Sequence, residues 1–582
     1  MTSEKKIYAD NKNILNLFEG LGKSYFLIPD YQRPYNWKED EIITLLNDLW
    51  EYYNLNNENN NYDPYFLGNI VIFKNTNSEY EIIDGQQRIT TISLLIRAIY
   101  SKLEENRDNN NRDVTILKQK LETILWQQET LSYNPDYSKF KLYSKVINDK
   151  NKIIFEQILT TGLFNEKLKD NYSTNYRIIL DFIEEKSKEL TTGIINFYRF
   201  MIEKVIILSI ELNNFNTALN IFSTLNNRGL QLSDSDIFKA TIYSKIKNEK
   251  EKDEFINKWK LLELQINENN ETMQKIFTYY MFYLRSLDND TSSTTPKTRD
   301  YFLKKEGSIV IERPNELLDQ LSKINDFMGV VNKRNTIEDQ EWSQNISIIQ
   351  KIDIIKSYPN EFWKYPVINY YLSHYQKDNF IYYFDFFLKK MITSLIIKYI
   401  EIPSINGIKN GILQVNADSI TRMKPKIDLK RKINDETLKN EILEPHPNIV
   451  KMILKLISYN QNDEKSLLPE KWEIEHILPR NWEKIYESNE DKEFIYKKIE
   501  QIGNKIPLEK KANILSGDKF LKKKLEEYKK SNIKIVQLFI MAHNNKIYWG
   551  IDDIEKRNKL LIEEIFNLFQ TWNKEYNNLE EK

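Results

Sequence analysis

The residues whose types and spacing point most clearly to chemistry lie around "IEHILPRNW", residues 474–482. His476, one of four histidines in the 582 residues, follows Glu475 directly, and Asn504 and Asn513 come later in "IGNKIPLEKKAN". An imidazole can take a proton from water that attacks phosphorus, while carboxylate and amide oxygens hold a divalent cation that stabilises negative charge. We predict that His476 is a general base, that Glu475 and Asn513 bind Mg²⁺ or Mn²⁺, and that Asn504 completes the catalytic set by bracing the loop. A lone histidine is more often structural, so this prediction depends on the whole pattern.

The other three histidines do not join this set by spacing. We expect His374 in "YYLSHYQ" to lie on a helix surface, His446 in "EPHPN" to lie in a loop, and His543 to lie near a helix end. Cysteine is absent, so any metal must be held by oxygen and imidazole ligands rather than thiolates.

A second candidate site lies in "EYEIIDGQQRITT", residues 79–91. An apolar strand runs into Asp84 and Gly85, and an amphipathic helix begins at about Gln87. Backbone N–H groups and the helix dipole at such a helix start attract anions, and Arg88 can bind a phosphate through its guanidinium fork. Asp84 can hold a magnesium ion or orient water. The alternative is an ordinary turn in which Asp84 caps the helix.

Two further segments are dense in groups that can bind a nucleotide. "IPDYQRPYNW", residues 28–37, places Tyr31, Gln32 and Arg33 among aromatic residues and two prolines. "STLNNRGLQLSDSD", residues 223–236, contains Asn226 and Arg228, which either reach a nucleotide or only close the turn between two helices.

The elements that must position these residues differ along the chain. Short β-branched runs separated by Pro, Gly and Asn indicate an α/β region near the amino end, long amphipathic helices follow, and strand-like pieces return near the carboxyl end. The sequence therefore predicts a predominantly helical α+β protein with three segments: 1–250 with a helical extension, a helical linker at 251–440, and 441–582.

The net charge of the whole chain does not indicate nucleic-acid binding, whereas local clusters of lysine do. The chain has 84 basic and 85 acidic residues and a net charge of −1, so it lacks the strong positive charge of many DNA-binding proteins. Lysines are nevertheless dense near the candidate nuclease, and we predict DNA contacts for Lys510, Lys511, Lys519 and Lys523. The alternative is a solvated helix face whose lysines pair with glutamates. No secretory or membrane-spanning pattern is evident, and we expect a cytoplasmic protein.

The segments taken together resemble a known family. "IPDYQRPYNW", "DGQQR" with two following threonines, and "IFSTLNNRGLQLSDSD" are similar to the N-terminal domain of GmrSD modification-dependent (type IV) restriction enzymes, whose relatives include the phosphorothioate-sensing SspE proteins. "EHILP", "IGN", "LEEYKKS" and the closing "IYWGIDDIEKRNKLLIEEIFNLFQTW" resemble the family's C-terminal HNH (His-Me finger) nuclease domain.

This resemblance implies an N-terminal nucleotidase domain with a ParB/sulfiredoxin-like α/β fold and a C-terminal nuclease domain with the ββα-metal fold. It implies binding and hydrolysis of GTP or another nucleoside triphosphate, with Asp84 and Arg88 in catalytic roles. The residues expected at the nucleotide are Tyr31, Gln32, Arg33, Asp84, Gly85, Gln86, Gln87, Arg88, Thr90, Asn226 and Arg228.

The expected function is an NTP- and metal-dependent endonuclease of bacterial anti-phage defence. Its expected substrate is modified double-stranded DNA, such as DNA with glucosylated hydroxymethylcytosine, which it cleaves or nicks, and a homodimer is one arrangement for double-strand cleavage. Two alternatives remain: a phosphorothioate-sensing defence nickase with NTPase activity, and a nucleotide-binding regulator with a degenerate nuclease site. The second alternative arises because Glu475 stands where many HNH sites have Asp.

Overall fold

The computed structural model divides the chain into two compact units. Unit 1 comprises Met1–Leu262 with Ile309–Asn315, and unit 2 comprises Glu263–Ser308 with Glu316–Lys582. The structure describes residues 7–55, 63–75, 77–105, 112–129, 134–146, 151–189, 194–212, 218, 233–304, 308–404, 406–429, 433–461, 465–484 and 490–580. The predicted division at about residues 250 and 440 stays a prediction about independently folding domains.

Unit 1 contains a six-stranded mixed sheet in the order β1-β8-β3-β4-β2-β7 and a separate β5–β6 pair. The strands are β1 (Ile7–Asn13), β2 (Phe26–Ile28), β3 (Tyr65–Lys74), β4 (Tyr80–Asp84), β5 (Trp126–Gln128), β6 (Pro135–Phe140), β7 (Leu142–Ser144) and β8 (Val205–Leu212). β3 pairs antiparallel with β4 and parallel with β8, so the sheet is neither purely parallel nor purely antiparallel.

Helices cover this sheet and supply most of the core of unit 1. They are Ile14–Glu19, Glu39–Leu55, Gln86–Glu105, Arg112–Leu125, Lys152–Thr161, Asn171–Glu189, Ile194–Glu203 and Asp234–Lys245. The helix Gln86–Glu105 follows β4 after one glycine, and its apolar residues Ile89, Ile96 and Ile99 are wholly buried. The predicted strand, glycine turn and helix are therefore confirmed.

Unit 2 is mostly helical. Three helices, Glu249–Glu268, Ser308–Ile311 and Pro314–Lys333, include residues of both units. The others are Met273–Leu287, Thr298–Lys304, Ile346–Ile355, Lys364–His374, Phe380–Glu401, Lys409–Thr421, Asp435–Leu443, Pro447–Tyr459, Lys492–Ile499, Lys510–Ser516, Leu521–Tyr528, Lys534–His543 and Ile551–Asn578. The predominantly helical α+β class is thus confirmed for the described residues.

The strands of unit 2 are β9 (Trp472–His476) and β10 (Lys505–Glu509), which form an antiparallel pair. Pro507 occupies the middle of β10 opposite Ile474. A two-stranded sheet tolerates this proline because each strand has an outer edge where no backbone donor is needed. The helix Lys492–Ile499 lies between β9 and β10 in the chain, and the helix Lys510–Ser516 begins directly after β10 and packs against both strands.

The three histidines outside the candidate site differ in burial. His374 is wholly buried, and its Nε2 lies 2.8 Å from the carbonyl oxygen of Ser419, so the expected helix-surface position is wrong. The helix around it is buried on nearly every side, polar residues included, so no polar and apolar faces in the sequence could show the burial of His374. His446 lies at the N-cap of the helix Pro447–Tyr459, and His543 ends the helix Lys534–His543, as expected.

Two candidate functional sites

The turn after β4 requires glycine for two reasons. Gly85 has φ +92°, and a Cβ there would lie 2.6 Å from Cγ2 of Ile70. Across the turn, Gly68 has φ +131°, and a Cβ there would lie 3.1 Å from Cζ of Arg88. The backbone of β3 therefore approaches the start of the helix closely, and Arg88 Nη1 donates a 2.5 Å hydrogen bond to the carbonyl of Asn69.

Three charged side chains meet at this turn. Burial raises the pKa of Asp84, while Arg88, the backbone N–H of Gly85 and Arg33 oppose that rise. Burial likewise lowers the pKa of Arg88, against the attraction of Asp84. One carboxylate and two guanidinium groups therefore interact in a largely buried place at a helix start, where an anion would be favoured.

Two buried polar atoms at this site have no partner in the part of the chain that the structure describes. The Nε of Arg33 and the Oε1 of Gln86 are buried, and neither has a hydrogen-bond partner within the described part of the chain. Buried polar atoms are nearly always hydrogen-bonded in folded proteins. A donor and an acceptor left open beside Asp84 and Arg88 are suited to a polar ligand.

The other two glutamines of the site hold the loop in place. Gln87 Oε1 accepts hydrogen bonds from the backbone N–H groups of Asn36 at 2.7 Å and Trp37 at 3.3 Å, and its Nε2 donates to the carbonyl of Pro34 at 3.0 Å. Gln32 Nε2 donates to the carbonyl of Ile83 at 3.1 Å. The loop and the turn thus exchange side-chain hydrogen bonds, which gives Gln32 and Gln87 a positioning role.

Of the remaining residues predicted to bind the nucleotide, two are buried and two lie outside the described residues. Tyr31 is 2% exposed, and its ring lies 5.1 Å from that of Tyr243. Thr90 is 2% exposed within the helix. Asn226 and Arg228 lie outside the described residues. Direct contact of these four residues with a ligand stays a prediction.

In unit 2, Asn504 joins the loop after His476 to the end of the helix Lys492–Ile499. Its Oδ1 accepts a hydrogen bond from the N–H of Leu478 at 2.8 Å. Its Nδ2 donates to the carbonyls of Leu478 at 2.9 Å and Ile499 at 3.0 Å. Because Asn504 is wholly buried, it positions the loop after β9 and has no surface for contact with a substrate.

His476 ends β9 directly opposite Lys505 of β10. Its Nε2 is buried without a hydrogen-bond partner among the described residues, and it lies 3.5 Å from Oε2 of Glu500. Arg480 Nε bonds to Oε1 of the same carboxylate at 2.7 Å, and Lys505 Nζ lies 3.0 Å from Oε2. His476, together with Arg480 and Lys505, holds the pKa of Glu500 well below its usual range, so this carboxylate is ionised.

Glu475 lies on the other side of β9, because successive side chains of a strand point to opposite faces. Its Oε1 accepts a hydrogen bond from Lys524 at 2.6 Å and from Tyr528 at 2.8 Å, and all three side chains are buried. Lys524 Nζ also donates to the carbonyl oxygen of His476 at 2.7 Å. Burial raises the pKa of Glu475, and Lys524 and Tyr528 oppose that rise.

Among the described residues, Glu475 is a poor candidate for a metal ligand beside His476, because its side chain is buried, pairs with the ammonium of Lys524 and lies on the other face of β9. Of Glu475, Oε1 is engaged by Lys524, and Asn513 is half-buried in the helix Lys510–Ser516. Mg²⁺ commonly keeps several waters and takes one or two carboxylates together with substrate phosphate. No group of three or more His, Cys, Asp or Glu suited to a metal occurs in the described residues. Binding of Mg²⁺ or Mn²⁺ by Glu475 and Asn513 therefore stays a prediction.

The lysines of the carboxyl-terminal region divide into two kinds. Lys510, Lys511, Lys519 and Lys523 are exposed, as a DNA-contact role requires. Lys524, the next residue in the same run, is 1% exposed and paired. Within "LKKKLEEY" the residue types do not distinguish these lysines. The period of the helix does, because it places Lys524 on the same face as the buried Leu521 and Tyr528.

Comparison with known families decides the class of protein. Residues 14–243 match the N-terminal domain of the GmrSD restriction endonuclease, and residues 427–564 match the C-terminal domain of GmrSD restriction endonucleases. The chain belongs to the GmrSD restriction endonuclease family. The family is one of restriction endonucleases, which makes DNA the substrate class. A search of curated proteins found no match to this chain.

Each of the two GmrSD segments contains one of the candidate sites. The first includes the turn at Asp84 and the loop around Arg33, and the second includes His476 and Asn504. Within the described ranges, no helix has the length and apolarity needed to cross a membrane.

The GmrSD C-terminal segment also contains positioning residues that the sequence motifs did not indicate. Arg557 Nη1 donates to the carbonyls of Gly503 and Lys505, each at 2.8 Å. Asn558 Oδ1 accepts from the N–H of Gly503 at 2.6 Å. Both residues lie in the helix Ile551–Asn578, more than 50 positions after the loop they hold, so local sequence patterns could not reveal them.

Proposed function

We propose that the protein is a metal-dependent DNA endonuclease of the HNH type, controlled by a nucleoside triphosphate that binds in unit 1. The observation that carries the proposal is the arrangement at the end of β9. There, the unpartnered Nε2 of His476 lies beside a loop that the buried Asn504 fixes by three side-chain hydrogen bonds. The antiparallel pair β9–β10, with the helix Lys510–Ser516 packed against it, supports a ββα-metal nuclease fold.

In this mechanism His476 takes a proton from the water that attacks the scissile phosphorus. Asn504 keeps the segment after His476 in place, and Lys524 fixes the backbone carbonyl of His476 as well as Glu475. A divalent cation, Mg²⁺ or Mn²⁺, would supply charge stabilisation at the phosphate and the leaving oxygen, and Glu475 and Asn513 stay its predicted ligands. The four exposed lysines, Lys510, Lys511, Lys519 and Lys523, bind the DNA backbone without reading its sequence.

In unit 1, Arg88 and Arg33 bind the phosphates of GTP or another nucleoside triphosphate at the start of the helix Gln86–Glu105. Their charges and the unpartnered Nε of Arg33 and Oε1 of Gln86 support this role. Asp84 orients the water or cation needed for hydrolysis. The mixed sheet and the turn after β4 are compatible with a ParB/sulfiredoxin-like domain.

The biological role we propose is defence against phage by cleavage of modified DNA, with glucosylated hydroxymethylcytosine DNA as the first substrate to test. The protein is incubated with plain and glucosylated phage DNA, Mg²⁺, and GTP, ATP or no nucleotide, and DNA breaks and released phosphate are measured separately. His476→Ala should abolish cleavage and retain phosphate release. Arg88→Ala should reduce phosphate release.

Two control substitutions remove the same chemical groups, an imidazole and a guanidinium, away from the candidate sites. His446→Ala removes an exposed imidazole that only caps a helix, and Arg177→Ala removes an exposed guanidinium group of unit 1. Both control variants should behave as the wild type. If the wild type neither cuts DNA nor releases phosphate on any of these substrates, a non-catalytic regulator becomes the better account.

A further inference from the structure

An ionised carboxylate lies where the candidate general base would meet its substrate. Oε2 of Glu500 is 3.5 Å from Nε2 of His476 and 3.0 Å from Nζ of Lys505, and Oε1 is 2.7 Å from Nε of Arg480. The imidazole and both cations thus converge on one anion with two oxygens. A phosphodiester presents the same features, a single negative charge shared by two unesterified oxygens.

The contact of Glu500 with His476 is longer than its contacts with the two cations. Hydrogen bonds to ring nitrogens are normally 2.7–3.2 Å long. The distance here is 3.5 Å, and His476 Nε2 makes no hydrogen bond within the described residues. The shorter contacts of Glu500 are those with Arg480 and Lys505, so the two cations hold the carboxylate in place.

The burial of Lys505 means that another anion must replace the carboxylate of Glu500 if it leaves. The side chain of Lys505 is 6% exposed, and a buried cation that loses its partner is strongly destabilised unless another anion replaces it. The Arg480 side chain is 64% exposed, so its share of the pairing is weak and readily broken. Glu500 itself is 35% exposed at the end of the helix Lys492–Ile499, where a change of side-chain rotamer can carry its carboxylate into water.

We propose that Glu500 occupies the position of the scissile phosphate, and that Arg480 and Lys505 bind this phosphate once DNA displaces the carboxylate. This proposal rests on the proposed nuclease function of His476. Glu500 then restrains the nuclease in the absence of DNA, because its charge competes with the phosphate and its carboxylate covers the general base. Arg480 and Lys505 are additional substrate-binding residues of the same reaction.

The test measures DNA affinity apart from cleavage. Full-length His476→Ala protein is titrated onto a fluorescent DNA duplex, alone and combined with Glu500→Gln, with Glu500→Asp or with Lys505→Met. Removing the competing charge in Glu500→Gln should tighten binding by on the order of tenfold at low salt, while Glu500→Asp, which keeps the charge, should stay near the parent. Lys505→Met should weaken binding by a similar factor and lower the salt dependence by about one phosphate contact.

The matched control is Glu555→Gln. Its carboxylate pairs with Lys498, which lies in the helix Lys492–Ile499 that precedes Glu500, and has no described contact with His476. It should leave affinity unchanged, and melting curves confirm that each variant is folded. With His476 present, Glu500→Gln should lower KM for DNA and leave kcat unchanged or higher.

Two results would overturn the proposal. If Glu500→Gln lowers kcat without changing affinity, Glu500 orients His476. If it changes neither affinity nor kinetics, Glu500 only stabilises the loop. The nuclease function can fail separately: tighter binding by Glu500→Gln in a protein that never cuts DNA would support the phosphate site and reject the proposed catalysis.

Discussion

Lys524→Met is the most informative single substitution beneath the candidate nuclease strand. Lys524 is 1% exposed, and its Nζ bonds both Oε1 of Glu475 at 2.6 Å and the carbonyl oxygen of His476 at 2.7 Å. Methionine has a similar length and fills the space without a charge. The substitution therefore leaves a buried carboxylate without its cation and frees the backbone of the catalytic residue.

The expected cost follows from the burial of the pair. Removing one partner of a buried ion pair costs about 3–5 kcal/mol, because the remaining charge stays out of water. Tyr528 still donates to Oε1 of Glu475 at 2.8 Å, so we expect the lower end, about 3 kcal/mol. For a unit of roughly 310 residues such a loss lowers Tm by about 5 °C. Adding Glu475→Gln should recover about 1–2 kcal/mol, since no charge is then left unpaired.

Thermal melting and DNA cleavage are measured on the same samples. The matched control is Lys455→Met, which breaks a buried pair with Asp353 at 2.9 Å elsewhere in unit 2. Asp353 keeps Tyr459 at 2.6 Å, so this variant should melt earlier but cleave normally below its Tm. Lys524→Met should also cleave DNA more slowly, because the backbone carbonyl of His476 loses its donor. A Tm within about 1 °C of the wild type and unchanged cleavage would refute the reasoning.

Four further predictions follow from single contacts. Asn504→Ala removes three buried side-chain hydrogen bonds and should cost about 3 kcal/mol in chemical unfolding and abolish cleavage; equal unfolding midpoints would contradict this. Gly85→Ala forces a Cβ to 2.6 Å from Ile70 at φ +92° and should cost about 2 kcal/mol and stop phosphate release, whereas full activity would show that the turn adapts. Gln87→Ala frees the loop it holds and should weaken fluorescent-nucleotide binding by about tenfold, with plain DNA binding as the unaffected control. Burial lowers the pKa of His374 to about 4, so the wild type should lose on the order of 3 kcal/mol as pH falls from about 6.5 through 4, and His374→Gln should lack this dependence.

The sequence predicts features whose causes are local. The strand Tyr80–Asp84, its glycine turn and the following helix are specified by β-branched residues, a flexible residue and helical periodicity within about 25 positions. The bracing role expected of Asn504 also agrees with its contacts, because an asparagine beside a glycine in a loop commonly bonds to nearby backbone.

The contacts that complete both sites are not local. Gln87 reaches back 51 positions to Asn36, and Lys524 reaches back 49 positions to Glu475. Such pairs depend on how elements pack, and one sequence carries no signal for them. The Glu500 carboxylate was missed for a different reason, since a glutamate in "KKIEQIGN" is typical of any exposed helix end.

The central claim is that His476 cleaves DNA in a reaction that unit 1 controls through a bound nucleotide. The most direct measurement follows cleavage of glucosylated phage DNA in Mg²⁺ by the wild type, His476→Ala and Arg88→Ala, each with and without GTP, and records released phosphate in the same tubes. We expect nucleotide-dependent cleavage by the wild type, phosphate release without cleavage by His476→Ala, and loss of both nucleotide dependence and phosphate release in Arg88→Ala. Cleavage that persists in His476→Ala would contradict the account.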